Sequence, residues 1–309
     1  RDLLSVWKGG MDGDILSELD EGLREEIIES LEPAELAEAV RELESDDVVD
    51  LVEYLDEQQQ EAVLDALDAS ERVAVEKALA YPEESAGRHM QSEVVWVPEH
   101  WSVGEAIDYL RSDVELPDQF YHVTLVDPKL RPLANVTLGK LMSSGRNVPL
   151  LDIVEEVFCV IPALQDEADV AYAFNQYHLI SAPVVDESNR LIGMITIDDA
   201  MAVLEEESQE DILRLAGVTE SNLSDRVLET AKQRFPWLAV NLVSAIFASL
   251  VIAQFEATIA QLIALAVLMP IVASMGGNAG TQSLTVAVRA LATRDLTASN
   301  MWRVVRREV

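Results

Sequence analysis

Two kinds of side chain in this 309-residue chain could handle a cation: carboxylates one helical turn apart, and an amide set among glycines in an apolar segment. Asp46 and Asp50 stand four residues apart in a stretch with helical periodicity, so one helix face presents both carboxylates. Such a pair can share a divalent cation, directly or through its water shell. We therefore take Asp46 and Asp50 as candidate metal-sensing residues.

A second acidic group lies on a predicted helix that follows a β-rich region. Glu207, Glu210 and Asp211 occupy positions i, i+3 and i+4, which places three carboxylates on one face. At about 6 Å and an effective dielectric constant near 20, each pair of like charges repels by roughly 3 kcal/mol unless a counter-ion neutralises it. The alternative is a solvated surface on which salt screens the repulsion.

The amide lies in residues 270–282, which read PIVASMGGNAGTQ within 32 uncharged residues, 257–288. Polar groups in hydrocarbon persist when they pack against protein or line a wet cavity. An ion path and a close helix–helix contact through small residues explain this run equally well. The candidate pore-lining residues are Gly276, Gly277, Asn278, Gly280 and Gln282.

The charge of the chain excludes some functions. The formal net charge of −34 repels nucleic acid and attracts cations, so we predict no nucleic-acid partner. The single cysteine, Cys159, cannot form an internal disulfide, which indicates a small core residue in a reducing compartment. The four histidines show no metal-ligand spacing and the sequence shows no Ser-His-Asp set, so we do not expect an enzyme.

The first 80 residues predict short amphipathic helices. They carry 25 acidic residues against 6 basic ones, and apolar residues recur at helical spacing within residues 36–43 and 48–55. Ser45, followed by two aspartates, is a helix-start signal. We predict an all-α, acidic, superhelical N domain over residues 1–84, in which most acids form a solvated outer face.

From residue 85 to 207, short β-rich runs alternate with helices, and the pattern repeats at a period near 59 residues. Residues 122–137 parallel residues 182–196, each as strand, polar turn and strand, followed by a helix. An amphipathic helix precedes each copy. The layout resembles a tandem pair of CBS modules, which we assign to residues 85–146 and 147–207.

The resemblance to CBS modules implies a nucleotide-binding candidate. In modules that hold adenine nucleotides, a Thr or Ser and an Asp three residues later bind the ribose, and Thr196 and Asp199 stand at that spacing. The first copy offers Thr137 and Lys140, without the carboxylate. A strand-end turn with a helix-capping acid explains Thr196 and Asp199 equally well.

Two long uncharged stretches follow a predicted connecting helix over residues 208–234. Residues 235–255 are uncharged and long enough, at about 1.5 Å per residue, to cross a hydrocarbon core of about 30 Å. The second stretch exceeds one straight crossing, so we expect a break near Pro270 or Gly276. Basic residues flank both stretches on the side away from Glu256, which predicts that both flanks face the cytoplasm.

An acidic helical domain, two CBS modules, a connecting helix and an apolar region with this glycine run together resemble the MgtE family of magnesium channels. The run GGNAGTQSLTVAVRALATRDL at residues 276–296 is the most specific match. The predicted fold class is therefore multidomain α plus α/β, with α-helical transmembrane segments. The resemblance implies five membrane helices per subunit, and residues 235–309 provide about two, so we expect a fragment clipped at both ends.

The resemblance also implies a mechanism. Members are homodimers in the cell membrane whose N and CBS domains lie in the cytoplasm, where Mg2+ bridges acidic faces and closes the pore. Mg2+ is then both substrate and regulator, and ATP at the CBS pair is a further ligand to test. Ala202 and His178 stand where acids are common in the family. The candidate sensing residues carried over are Asp46, Asp50, Asp166, Asp199, Glu207, Glu210 and Asp211.

Two other classes of protein account for part of the pattern. A membrane-anchored sensor of adenine nucleotides would use the CBS pair and keep the apolar segments as a tether. Calorimetry with ATP and with Mg2+ separates that sensor from a channel. A CorC-like magnesium exporter also combines membrane and CBS parts, but its membrane domain comes first and here it comes last.

Overall fold

The part of the chain with a described structure falls into two units, Arg1–Leu204 and Glu205–Val309. The first unit holds the acidic helices and the β-rich repeat, and the second holds the long apolar segments. The computed structural model describes residues 13–17, 19, 24, 27–28, 31, 33–40, 43–53, 55, 57–112, 116–117, 119–216, 227–292, 296 and 300–308.

Short helices of the acidic region pack around one apolar core, as predicted. The helices described there are α1 (Gly13–Ser17), α2 (Pro33–Ala39), α3 (Ser45–Glu53), α4 (Glu57–Ala66) and α5 (Ala69–Ala78). Helix α3 begins at Ser45, with Asp46 and Asp47 in its first turn. Both apolar stripes found in the sequence enter the core, through Leu36, Val40, Val48, Leu51, Val52 and Leu55.

Each repeat of the β-rich region forms a three-stranded sheet with helices. In both sheets the first strand runs parallel to the second, which pairs antiparallel with the third. The first repeat contains β1 (Trp96–Pro98), α6 (Val103–Leu110), β2 (His122–Val126), β3 (Pro132–Thr137) and α7 (Leu138–Ser143). The second contains β4 (Ile161–Pro162), α8 (Glu167–Tyr177), β5 (Ser181–Val185), β6 (Leu191–Thr196) and α9 (Ile197–Ala216).

The predicted duplication is confirmed by the strand positions. Strands β2 and β5 begin at His122 and Ser181, 59 residues apart, and these two buried side chains meet, with His122 Nδ1 2.7 Å from Ser181 Oγ. The two repeats therefore contact each other through equivalent positions. The sequence did not reveal β1 and β4, because strands of three and two residues are too short to show alternation.

The segment between α5 and β1 packs on the second sheet. Ala86 and Met90 lie in the core of the second repeat, and Gln91 exchanges two backbone hydrogen bonds of 2.9 Å with Met194 of β6. Glycine at position 193 permits this crossing, because a Cβ atom there would stand 2.9 Å from the carbonyl oxygen of Gln91. The fold class is confirmed, and the exact domain boundaries stay a prediction.

Among the described residues of the second unit, two helices are long and apolar enough to cross a membrane, Arg234–Gln254 and Ile263–Leu291. They belong to α10 (Val227–Gln254) and α12 (Ile263–Ala292), which the short helix α11 (Glu256–Gln261) separates. Helix α13 (Met301–Glu308) follows. The predicted connecting helix of residues 208–234 is shared between α9 and α10, and residues 217–226 lie outside the described residues.

The expected break near Pro270 or Gly276 is wrong. Helix α12 runs through both positions, and the chain departs from helix at Phe255 and Leu262 instead. Proline removes one backbone hydrogen bond, which a long apolar helix tolerates. A helix of 30 residues spans about 45 Å and can fit a thinner hydrocarbon core by tilting.

Candidate metal-sensing site

Helix α3 has one face in the core and one acidic face. Its apolar residues enter the core, whereas Asp46, Asp50 and Glu53 follow at i, i+4 and i+7 on a single stripe. Asp46 is only 8% exposed, although an isolated carboxylate strongly prefers water. The acidic stripe predicted from Asp46 and Asp50 therefore extends to Glu53 and is withdrawn from solvent at its first residue.

The surface opposite this stripe is the strip of residues 88–93, which we call the docking strip. It is carried by the second sheet through the pairing of Gln91 with Met194. The side-chain amide of Gln91 donates to Glu44 Oε2 at 2.9 Å, and the Ser45 hydroxyl donates to Glu93 Oε2 at 2.8 Å. The N-terminal helices and the second repeat thus meet at a polar interface.

Carboxylates from three parts of the first unit converge at this interface. We call Glu44, Asp46, Asp47, Asp50, Glu93 and Asp199 the acidic cluster. Burial and the charges of Glu93 and Asp47 together raise the pKa of Glu44 to about 7, against a hydrogen bond from Gln91 that lowers it. Crowded, partly dehydrated carboxylates of this kind favour any species that brings positive charge.

The pKa values of Asp46, Asp50 and Asp199 are raised as well. Burial is the largest cause for each. The charge of Asp199 then raises the pKa of Asp46 further, and the charge of Asp50 contributes to the pKa of Asp199, which reaches about 6. The fold therefore brings Asp199 within electrostatic reach of both Asp46 and Asp50, which lie up to 153 positions (199 − 46) before it in the sequence.

His89 of the docking strip lies beside the acidic cluster. Burial lowers the pKa of His89, but contact with the Glu167 carboxylate and the charge of Asp50 outweigh burial, so the net shift is upward. An imidazolium at this position neutralises part of the surrounding negative charge. Sequence reasoning found no role for His89, Glu167 or Glu44, because only the tertiary fold brings them to Asp50 and Asp199.

The other predicted sensing residues have different surroundings. Asp166 is exposed, and its carboxylate accepts a hydrogen bond of 3.3 Å from the backbone of Asp169, which caps helix α8. Glu207 is half-buried on helix α9, eight residues beyond Asp199 (207 − 199). The backbones of Glu210 and Asp211 continue that helix, but their side chains lie outside the described part of the chain.

The acidic cluster suits a hydrated cation. Among the described residues, no three His, Cys, Asp or Glu side chains stand close enough together to ligate a metal directly. Mg2+ dehydrates reluctantly and is commonly held through its own waters by a few carboxylates. The cluster can therefore bind Mg2+ through the hydration shell, with charge rather than a ligand cage determining its affinity.

The predicted nucleotide residues Thr196 and Asp199 bind each other. The Thr196 hydroxyl donates to Asp199 Oδ2 at 2.5 Å, and the Thr196 backbone N–H approaches the same oxygen at 3.3 Å. This is the helix-capping arrangement, the alternative left open by the sequence. The cavity beside Asp199 holds about 10 Å³, room for one water molecule and not for a nucleotide.

A larger cleft lies between the two repeats. Its volume is about 260 Å³, near the lower end of the range for small-molecule sites. Glu155 and His122 of the first repeat line it, with Glu155 Oε2 3.1 Å from His122 Nε2. Burial lowers the pKa of His122, against the opposing effect of the Glu155 charge. Residues from both repeats contribute, among them Asn135, Lys140, Tyr177 and Ile180.

The candidate pore residues lie within the continuous helix α12. No atom lies within 4 Å of where a Cβ would stand at Gly276, Gly277 or Gly280. The Thr281 hydroxyl returns to the carbonyl oxygen of Gly277 at 3.0 Å, and Asn278 is exposed. Within the described residues, this glycine run is therefore open for contact with another helix or with water.

Comparison with known proteins accounts for the order of these parts. Residues 2–84 match a family model described as the MgtE intracellular N domain, and residues 269–309 match the MgtE model described as a divalent cation transporter. Residues 154–206 match the CBS domain. The chain belongs to the MgtE family.

Curated MgtE relatives cover three quarters of the chain. Magnesium transporter MgtE of Bacillus subtilis is 31% identical over 229 residues, which are 74% of this chain and 51% of the relative. The Enterococcus faecalis protein of that name is 32% identical over 231 residues, with coverages of 75% and 51%. The Thermus thermophilus one is 33% identical over 240 residues, with 75% and 53%. The chain spans about half the length of these relatives.

Solved structures of MgtE cytosolic parts share the fold of the first unit. One is the cytosolic domain of the Mg2+ channel MgtE in complex with ATP, with a TM-score of 0.57 and 29% identity over 62% of this chain and 78% of that one. Another is the soluble part of a magnesium transporter, with a TM-score of 0.57 and 25% identity over 63% and 77%.

The raised carboxyl pKa values make stability depend on pH. Some groups have a higher pKa in the folded chain than in the unfolded chain. Such a group contributes its full stabilisation at pH values below its unfolded-state pKa, and this contribution is lost as the pH rises through its folded-state pKa. For Glu44 the window runs from 4.5 to about 7. We expect the thermal unfolding midpoint of the metal-free chain to decrease as the pH is raised from about 5 to about 8. The Glu44→Gln variant should show a smaller decrease.

The matched control is Glu61→Gln, at an exposed position of helix α4. It removes the same charge and should leave the dependence of the midpoint on pH unchanged. A Glu44→Gln variant with the same pH dependence as the parent chain would show that burial of the cluster has no energetic effect.

Proposed function

We propose that the chain is the sensing region and the start of the pore of a magnesium channel that mediates Mg2+ uptake. One observation carries this proposal: Asp46, Asp50 and Asp199, chosen from the sequence as metal-sensing residues, are gathered with Glu44 and Glu93 where the N-terminal helices meet the second repeat, so that the charge of Asp199 raises the pKa of Asp46 and the charge of Asp50 raises the pKa of Asp199. The curated relatives are named as magnesium transporters, which supports Mg2+ as the substrate and agrees with the prediction of no enzymatic activity.

The proposed switch is electrostatic. At low Mg2+ concentration the acidic cluster repels itself and weakens the interface, and at high concentration hydrated Mg2+ bridges its carboxylates and holds the interface closed. To change a two-state equilibrium from 1:99 to 99:1 takes about 5.5 kcal/mol of differential binding. Several weakly held ions acting together can provide this. Asp166, Glu207, Glu210 and Asp211 are proposed as further sensing residues on the same reasoning.

The membrane arrangement is proposed from the charges and the two spans. Helices α10 and α12 cross the cell membrane, and basic residues beyond both spans keep the flanks in the cytoplasm. The first unit then lies in the cytoplasm, over residues 1–84 for the N domain and 85–207 for the CBS pair. We propose a homodimer in the bilayer, in which the open glycine run of α12 faces the ion path.

A second ligand, ATP, is proposed for the CBS pair. The related MgtE cytosolic domain was solved in complex with ATP. Because Thr196 and Asp199 bind each other and the cavity that Asp199 lines holds only about 10 Å³, we place ATP in the cleft between the repeats and not at this pair. The rival function, a nucleotide sensor with a membrane tether, predicts ATP binding without any response to Mg2+.

Neutralising the cluster should abolish the response to Mg2+. In the parent chain, protease cleavage in the exposed residues 82–84 should slow as Mg2+ rises to millimolar levels. The triple variant Asp46→Asn, Asp50→Asn, Asp199→Asn should be protected at every Mg2+ concentration, because amides remove the repulsion that Mg2+ otherwise neutralises. Limited proteolysis over a Mg2+ titration measures this.

The control for that experiment removes three exposed acids of the same unit, in the variant Glu38→Gln, Glu61→Gln, Asp152→Asn. It should retain the parent response to Mg2+. Equal cleavage of the parent chain at all Mg2+ concentrations would overturn the proposed sensing function.

Asn278 should matter for flux and not for sensing. In the full-length protein, Asn278→Ala should reduce Mg2+ uptake about tenfold or more, since it removes a hydrogen-bonding group from the ion path. The matched substitution Asn241→Ala, in the first span, should leave uptake near the parent level. Unimpaired uptake by Asn278→Ala would assign the glycine run to helix packing.

Filling the cleft should prevent ATP binding. Ile180→Trp places a large ring in the cleft, and calorimetry with ATP should show an affinity reduced by at least about tenfold. Leu164→Trp, at an exposed apolar position outside the cleft, is the control. If Thr196→Ala lost ATP binding and Ile180→Trp bound ATP normally, the ATP site would be at Thr196 and Asp199 and not in the cleft.

A further inference from the structure

The interface between helix α3 and the docking strip contains a buried positive charge. The side chain of Arg88 is 8% exposed, and its Nε contacts a carboxylate oxygen of Glu53. The charge of Arg88 also acts on Asp50, where it lowers the pKa against the larger effect of burial. An arginine side chain stays charged at every physiological pH, so this charge is permanent.

The two partners of this ion pair belong to different parts of the first unit. Glu53 ends helix α3 of the acidic region. Arg88 is held on the second repeat, because the preceding N–H of Gly87 donates to Ala163 at 2.8 Å and the following Gln91 pairs with β6. The ion pair therefore joins the N-terminal helices to the CBS pair.

Neutral hydrogen bonds reinforce the same interface. The backbone N–H and the hydroxyl of Ser92 both reach Ser45 Oγ, at 2.8 and 2.7 Å, while Ser45 donates to Glu93. None of these contacts requires a metal ion. They bind the first residue of α3 to the docking strip, and the ion pair of Arg88 with Glu53 binds the last residue of α3 to the same strip.

We propose that Arg88 is a built-in counter-ion that docks helix α3 onto the second CBS module in the absence of metal, and so sets how much Mg2+ is needed to complete docking. The first half of this inference is independent of the proposed function, whereas the second half rests on Mg2+ sensing by the acidic cluster. One guanidinium offsets only part of the facing charge, because the acidic cluster and Glu53 carry seven carboxyl groups between them. Without metal, only part of the population is therefore docked, and added Mg2+ can increase the docked fraction.

The test measures docking directly in the chain with Cys159→Ser. Spin labels on cysteines at the exposed positions Glu61, in helix α4, and Glu187, in the turn between β5 and β6, report the distance between the two parts. In a metal-free buffer, Arg88→Gln should shift the docked-to-undocked ratio about tenfold to a hundredfold toward undocked, the range expected for a lost charged hydrogen bond. Added Mg2+ should restore docking at a higher midpoint concentration than in the parent chain.

Arg72→Gln provides the matched control. Arg72 makes ion pairs with Asp65 and Glu76 inside the acidic region, and it is 39% exposed. Removing its charge should change neither metal-free docking nor the Mg2+ midpoint. Glu53→Gln should shift docking in the same direction as Arg88→Gln but by less, because it removes one negative charge and leaves Arg88 beside Asp50. The double variant should be no worse than Arg88→Gln alone, because the ion pair is already lost in that variant.

Three results overturn the inference. Unchanged metal-free docking in both Arg88→Gln and Glu53→Gln would show that the ion pair does not dock α3. Strictly additive effects in the double variant would show that the two residues act separately. Restoration of docking in Arg88→Gln at the parent Mg2+ midpoint would show that Arg88 does not set the threshold. A parent chain insensitive to Mg2+ would overturn the proposed function and the Mg2+ threshold that rests on it, whereas the metal-free comparison would still test docking by the ion pair.

Discussion

Repulsion between carboxylates withdrawn from water is the constraint on which the first unit depends. Like charges within a few ångströms cost little in water but several-fold more where the surroundings are partly dehydrated. Burial is the largest cause of the raised pKa values of Glu44 and Asp199, and the charges of neighbouring carboxylates raise both further. The interface holds because Arg88, His89 and the serine hydrogen bonds offset part of the repulsion. In the proposed switch, an interface balanced in this way responds to small changes in cation concentration.

The fold brings these charges together through two simple devices. The apolar stripe of α3 fixes the helix in its own core, which leaves the acidic stripe to face outward. The docking strip then crosses the second sheet over Gly193, where no side chain obstructs its backbone. Hydrophobic packing on each side thus holds polar groups in contact that would not associate on their own.

Local patterns in the sequence predicted much of this structure. Helical periodicity identified α3, the 59-residue period identified the paired strands, and uncharged runs identified the two candidate spans. The sequence did not reveal the docking strip, because residues 88–93 have no periodicity and contact partners more than 30 positions away. Asp166 was carried over from the family resemblance as a metal-sensing residue, and that role stays a prediction; in the described structure its carboxylate caps helix α8. The break expected near Pro270 was wrong because proline costs an apolar helix only one hydrogen bond.

Asp199 has two oxygens with different surroundings. Oδ2 accepts from Thr196 and fixes the first turn of α9, while the carboxylate as a whole repels Asp46 and Asp50. Any ion or proton that binds the neighbouring acids therefore also interacts with the Asp199 carboxylate, the group that caps a helix of 20 residues. In the proposed switch, detection and mechanical output therefore begin at one functional group, the carboxylate of Asp199, with no chain of intermediate side chains between them.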